Sequence, residues 1–91
     1  MTDPTAWVTR LAAELARPGE DPVAVDAATV GALLRIAREV AHRTERLNAP
    51  LSTYVVGRYV AARVATGTDE ATAIAEVETA IMRLLSMPPP D

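Results

Sequence analysis

The feature that most constrains the fold is the spacing of apolar residues in four segments, which proline and glycine separate. In three of these segments apolar residues recur every three or four positions, the period of an amphipathic helix. The breaks fall at residues 18–19, 48–50 and 67. The chain is therefore predicted to be all-α, a four-helix bundle forming a single domain over residues 1–87. Residues 88–91, which read PPPD, are predicted to be a disordered Pro-rich tail.

The one-sided segments begin with recognisable helix-start chemistry. Asp3 and Pro4 combine an N-cap acceptor with proline at the first helical position. Asp26 is a good N-cap for the second helix, which is predicted to run to about Leu47. Thr68 is predicted to cap the fourth helix, with acidic residues following where the helix dipole favours them.

The third helix differs from the others because its apolar residues point in nearly every direction. Ser52 or Thr53 is predicted to cap it, and it is predicted to run to Thr66, with Gly67 as its C-terminal stop. An all-round apolar helix is central in a bundle or lies at a subunit interface. Its short connection to the fourth helix predicts an antiparallel hairpin.

One side of the third helix is smooth. Gly57, Ala61 and Ala65 recur every four residues, so that another helix can approach closely. Two interpretations are open, contact in a homodimer and close packing inside the monomer.

Composition excludes several classes of function. The chain has no cysteine, which rules out disulfides and thiolate metal sites, and its single histidine leaves no ligand set for a metal. No nucleophile, base and acid are grouped as catalysis requires, so we expect neither an enzyme nor a bound cofactor. The net charge of −3 argues against nucleic-acid binding.

No membrane segment is expected. The longest apolar stretch, residues 54–65, is short and is interrupted by Arg58 and Arg63. No signal peptide is visible at the N-terminus, so the chain is predicted to be cytoplasmic.

Charge is unevenly distributed along the chain. Residues 35–63 carry six Arg and two Glu, for a net +4, whereas residues 1–34 and 64–91 are acidic. One interpretation is that the basic middle pairs with the acidic outer segments inside the fold. The other is an anion-binding face on the second helix, formed by Arg35, Arg38 and Arg46 with His42 among them, because guanidinium groups match phosphate and carboxylate.

The sequence also resembles a known family. The stretch LLRIAREVAH at residues 33–42, followed by APLSTYVVG at residues 49–57, resembles a small helical family of unknown function from high-GC bacteria. Its members occur beside, or fused to, molybdenum-cofactor guanylyltransferases. The chain departs from the family pattern at Leu47 and Asn48, where Arg-Pro is common, and at Arg58 and Tyr59.

The resemblance implies an accessory role in molybdopterin-dinucleotide maturation and draws attention to the turn before the third helix. If that helix begins at Ser52, its free amides form an anion site to which Ser52, Thr53 and Arg46 would contribute. We therefore predict a non-catalytic accessory or interaction module, whose partner is another protein or a second copy. The alternative is a small anion- or nucleotide-binding protein using the Arg/His face and the Pro50 turn.

Overall fold

The computed structural model describes residues 3–87, and these contain four helices and no strand. The all-α prediction is therefore confirmed. The helices are α1 (Pro4–Leu15), α2 (Ala27–Arg43), α3 (Asn48–Ala65) and α4 (Glu70–Leu85). The predicted tail at residues 88–91 lies outside the described residues.

The chain divides into two compact units, Met1–Gly31 and Ala32–Asp91. Helix α2 begins in the first unit and continues into the second. The single domain over residues 1–87 stays a prediction.

In the first unit, two aspartates start the helices. The backbone N–H of Ala6 donates to Asp3 Oδ2 at 3.1 Å, and Pro4 occupies the first helical position. The N–H of Thr29 donates to Asp26 Oδ1 at 2.8 Å. Both caps are those that the sequence predicts, because a short carboxylate side chain satisfies an amide that the first turn leaves free.

The core of the second unit brings α2, α3 and α4 together around short side chains. Its buried members are Ala32, Ile36 and Val40 from α2, Val56 and Val60 from α3, and Ala73, Ile74 and Val77 from α4. None is aromatic, and Ala73 has no exposed surface at all. A core of alanine and β-branched residues allows helices to approach closely while still excluding water.

The predicted antiparallel hairpin of α3 and α4 is present. Gly67 adopts a φ of +102°, a left-handed conformation that glycine tolerates without steric cost. The N–H of Thr68 then donates to the carbonyl of Arg63 at 3.1 Å, which closes the end of α3. The chain reverses within a few residues and enters α4.

Two polar contacts join α2 to α4 near the core. Arg35 approaches Glu78 with 3.6 Å between Nη2 and Oε1. Arg43 Nη2 donates to the carbonyl oxygen of Leu85 at 3.1 Å, at the last turn of α4. Because these contacts follow one another in the same direction along both helices, α2 and α4 run parallel. Pairing of the basic middle with the acidic C-terminal segment is thus observed at Arg35.

The boundary between α2 and α3 differs from the prediction. Helix α2 ends at Arg43, not near Leu47, and α3 begins at Asn48. The Thr44 hydroxyl donates to the carbonyl of Val40 at 2.7 Å and accepts from the Asn48 side chain at 3.0 Å. A threonine side chain that hydrogen-bonds to nearby backbone competes with the helical hydrogen bonds. The hydrogen bonds of Thr44 lie at the end of α2.

The expected start of α3 at Ser52 or Thr53 is therefore wrong, and so is the Pro50 turn. Pro50 is the third residue of α3. Proline is tolerated in the first turn of a helix because the missing N–H would have had no intrahelical partner. The cap of α4 also moves by one residue, to Asp69, which accepts from the N–H of Thr72 at 2.8 Å.

We expect the Ile36→Ala substitution to lower the free energy of unfolding by about 3 kcal/mol, because it leaves a cavity in the core of the second unit. Ile36 is only 3% exposed. The matched control is Leu34→Ala on the same helix, where the side chain is 49% exposed and the expected loss is below about 1 kcal/mol. Urea denaturation followed by circular dichroism measures both. Equal losses would contradict this description of the core.

Candidate functional site

An open apolar groove lies in the second unit where α2 ends, α3 begins and α4 ends. Its volume is about 1010 Å³. We call it the apolar groove and define it by its lining residues, which are Val40, Arg43, Thr44, Asn48, Leu51, Ser52, Val55, Val56, Ile81, Leu84, Leu85 and Met87.

The polar groups of the apolar groove are largely engaged with one another. Arg43 donates to Leu85, while Thr44 and Asn48 share a hydrogen bond. The lining contains no Asp, Glu or His. Because no acid or base is available there, the groove is suited to holding an apolar group and not to proton transfer.

A second apolar surface covers α3 on the side away from the core. Projected at 3.6 residues per turn, one set of α3 residues lies opposite the buried Val56 and Val60. We call it the outward face of α3, and its members are Leu51, Tyr54, Val55, Arg58, Ala61, Ala62 and Ala65. All of them are exposed, and Arg58 carries the only charge among them.

The bulky end of the outward face is unusually exposed for apolar side chains. Leu51, Tyr54 and Val55 are 65%, 65% and 64% exposed. Arg58 lies over the Tyr54 ring, with 6.0 Å between its guanidinium carbon and the ring centroid. The apolar residues of α3 thus form two groups: one side packs into the core, and the other side is exposed to solvent.

The predicted interface residues Gly57, Ala61 and Ala65 are all exposed. A methyl group added at Gly57 would meet no atom within 4 Å outside its own helix backbone and chain neighbours. Within the second unit, close packing at position 57 therefore does not account for the glycine there.

The predicted anion-binding residues are only partly brought together. Arg38 and His42 are exposed one turn apart on α2. Arg46 is exposed too but lies after the end of α2. Ser52 and Thr53 are half-buried within α3, and the Thr53 hydroxyl already donates to the carbonyl of Pro50 at 2.9 Å.

The first two amides of α3 are already engaged by backbone carbonyls. The backbone N–H of Asn48 donates to the backbone carbonyl of Glu45 at 2.9 Å, and that of Ala49 donates to the backbone carbonyl of Arg46 at 3.2 Å. Pro50 has no N–H. The argument that a helix N-terminus at Ser52 binds phosphate therefore falls with the predicted boundary.

A polar cluster that was not predicted from the sequence lies between α3 and α4. Glu76 Oε1 accepts from the Tyr59 hydroxyl at 2.7 Å and from Arg63 Nε at 3.0 Å, while its Oε2 accepts from Arg63 Nη2 at 2.9 Å. The hydrogen bonds from Arg63, and then from Tyr59, lower the pKa of Glu76. The Glu76 carboxylate in turn raises the pKa of Tyr59.

This cluster stabilises the hairpin and is not a reactive site. Both carboxylate oxygens are occupied by donors, so Glu76 is held in its charged form and is a poor base. A bidentate guanidinium–carboxylate pair fixes the relative position of two helices. The predicted hairpin could have indicated this cluster, since two antiparallel helices bring residues before and after the turn together.

Two kinds of feature are absent from the described residues. Within residues 3–87, no group of three His, Asp or Glu side chains is placed to hold a metal ion. In the same range no helix is long and apolar enough to cross a membrane.

The fold and surface define a small all-α domain with exposed apolar surface on its second unit. The comparison with family models identifies it further, because the model "Domain of unknown function (DUF6457)" matches residues 1–88. The chain belongs to this family, which confirms the predicted membership of an uncharacterised domain family. No curated protein and no solved structure matches the chain.

The Glu76 cluster predicts a characteristic pH dependence of stability. Glu76 has a lowered pKa in the folded state, so its stabilisation is lost as the pH falls below its ordinary value of 4.5. Tyr59 has a raised pKa, so its contribution is lost as the pH rises above its ordinary value of 10.0. In the Glu76→Gln variant, the melting temperature should change less with pH in both ranges.

Thermal melts of the wild-type chain and Glu76→Gln between pH 3 and 11 measure this effect. Glu70→Gln is the control, since Glu70 is exposed in the first turn of α4 and its carboxylate has no hydrogen bond or ion pair with another described side chain. Parallel curves for wild type and Glu76→Gln would show that the cluster does not contribute.

Proposed function

We propose that this domain is a non-catalytic accessory module that acts by binding another protein through the apolar groove. The observation that carries the proposal is the groove itself, an open apolar concavity without an acid, base or metal ligand in its lining. An amphipathic helix inserted into such a groove is a recurrent mode of protein recognition.

Burial of exposed apolar side chains favours binding of a partner in the groove. Leu51, Leu84 and Met87 at the groove are 65%, 63% and 53% exposed. Removing apolar surface from water contributes roughly 25 cal/mol per Å². A partner that covers these three side chains would therefore gain from each of them, while the groove offers it few unpaired polar groups to desolvate.

The resemblance noted in the sequence favours a role in molybdenum-cofactor maturation, with a molybdenum-cofactor guanylyltransferase as the partner. Such enzymes occur beside or fused to members of the family that the sequence resembles. A module that binds the enzyme, and not the nucleotide, fits a surface that is apolar and lacks a phosphate-binding loop. This role places the protein in the cytoplasm.

The test is binding between the purified chain and the molybdenum-cofactor guanylyltransferase of the same cell, measured by isothermal titration calorimetry. We expect Leu84→Glu to weaken binding at least tenfold, because it places a charge in the groove. Met82→Glu is the matched control, since Met82 is on the same helix and 73% exposed but does not line the groove.

Equal affinities for Leu84→Glu and the wild-type chain would contradict a role for the groove. Absence of binding by the wild-type chain would contradict this choice of partner.

A second candidate function is the binding of a small anion by Arg38 and His42. The observation that favours it is that neither side chain has a hydrogen bond or ion pair with another residue in the range 3–87, and both are exposed on one side of α2. Arg46, Ser52 and Thr53 would contribute only if the segment after α2 closed around the anion.

Titration of the chain with GTP and with inorganic phosphate tests this candidate. Arg38→Ala and His42→Ala should each reduce the affinity several-fold, whereas Arg83→Ala on α4 should not. Heat signals that stay at the dilution level for the wild-type chain would remove the candidate.

A further inference from the structure

We infer that the outward face of α3 is the interface of a homodimer in which two copies of α3 pack antiparallel about a twofold axis at Arg58. The inference rests on the proposed function of the domain as an interaction module and names a second partner for it, another copy of this chain. It uses a surface different from most of the groove, sharing only Leu51 and Val55.

The spacing of the outward face is that of a coiled-coil seam. Its central positions are 51, 55, 58, 62 and 65, which alternate steps of four and three residues. This repeat keeps one seam facing a partner helix along the whole length of the contact. Tyr54 and Ala61 lie beside the seam, seven residues apart.

The shape of the face selects an antiparallel partner. The N-terminal half carries the bulky Leu51, Tyr54 and Val55, whereas the C-terminal half consists of alanines. In a parallel dimer the bulky side chains would meet each other and hold the alanine halves apart. The antiparallel arrangement places each bulky half against the small half of the other copy, so the surface is complementary to itself.

In this register the side chains pair as follows: Leu51 lies opposite Ala65 of the other copy, Tyr54 opposite Ala62, Val55 opposite Ala61, and Arg58 opposite Arg58.

Charge at the axis is compatible with the arrangement. Arg58 lies over Tyr54, one turn towards the N-terminus of its own helix, and its Nη1 is 3.4 Å from the Tyr54 hydroxyl. In antiparallel helices the two guanidinium groups are thus displaced in opposite directions, by ~12 Å from each other along the axis. That separation exceeds the Debye length of ~8 Å at physiological salt, so repulsion is weak.

The available area sets the expected affinity. Helix α3 has 18 residues. At 1.5 Å per residue the helix is ~27 Å long, and a contact strip ~10 Å wide along it covers ~270 Å² on each copy. The total of ~540 Å² is below the ~1,200 Å² at which stable interfaces begin, so we expect a weak dimer that forms towards the upper end of the concentrations tested below.

Size-exclusion chromatography with light scattering, at chain concentrations from 5 to 500 μM, tests the dimer. We expect the mass to rise from one chain to two across this range. Ala62→Arg should keep the chain monomeric at every concentration, because it puts a long side chain where the interface has room only for a small one opposite Tyr54 of the other copy. The matched control is Ala75→Arg, an exposed alanine on α4 that should dimerise like the wild type.

Arginine is a good helix former, and circular dichroism shows whether both variants fold. A wild-type chain that is monomeric at 500 μM, or a dimeric Ala62→Arg, would overturn the inference.

The absence of cysteine from the chain allows a second measurement of the register. Under copper-phenanthroline oxidation, Arg58→Cys should form a disulfide dimer within minutes, because its Cα atoms meet at the axis. Leu51→Cys alone should not, since the two copies of that residue are ~21 Å apart along the helices. A mixture of Leu51→Cys and Ala65→Cys should cross-link to a heterodimer. Efficient cross-linking of Leu51→Cys by itself would show a parallel dimer and contradict the proposed register.

The two proposals fail separately. Ala62 does not line the groove, so Ala62→Arg should still bind the guanylyltransferase, whereas Leu84→Glu should still dimerise. A monomeric wild-type chain that binds the enzyme contradicts the dimer alone. A dimeric chain that does not bind it contradicts only the groove partner.

Discussion

The core of the second unit consists of short side chains, and the other features of the structure depend on this constraint. Ala73 is completely enclosed, and the residues around it are valine, isoleucine and alanine. Such a core can be filled from one side of α3 by Val56 and Val60 alone. The longer apolar side chains of α3 are not needed to fill it and remain outside, where they are available to another molecule.

Polar contacts complement this core at its edges. The bidentate pair of Arg63 with Glu76 ties α3 to α4, while Arg35 and Arg43 reach α4 from α2. These side chains account for part of the basic middle segment of the sequence. Three arginines of this segment are left over: Arg38 on α2, Arg46 after the end of α2, and Arg58 on the outward face of α3. Arg38 and Arg58 lie on the two surfaces where the candidate functions differ.

Helix content and the N-caps of α1 and α2 were predictable because they depend on neighbours in sequence. Asp3 and Asp26 satisfy amides three residues away, and the apolar period identifies each helix. The junction of α2 and α3 was not predictable from the break at Pro50 alone. Proline both ends a helix that precedes it and fits the first turn of one that contains it, and the Thr44 and Asn48 side chains accompany the second outcome.

The sequence by itself determined that the chain is helical, that α3 and α4 form a hairpin, and that no cysteine chemistry is available. These follow from local periodicity, turn length and composition. The tertiary structure alone decided which apolar side chains of α3 are buried, that Glu76 is held by Arg63 and Tyr59, and that α2, α3 and α4 leave an apolar groove between their ends. An all-round apolar helix gives no internal indication of which side its neighbours cover, because burial is a property of the packed helices and not of one helix.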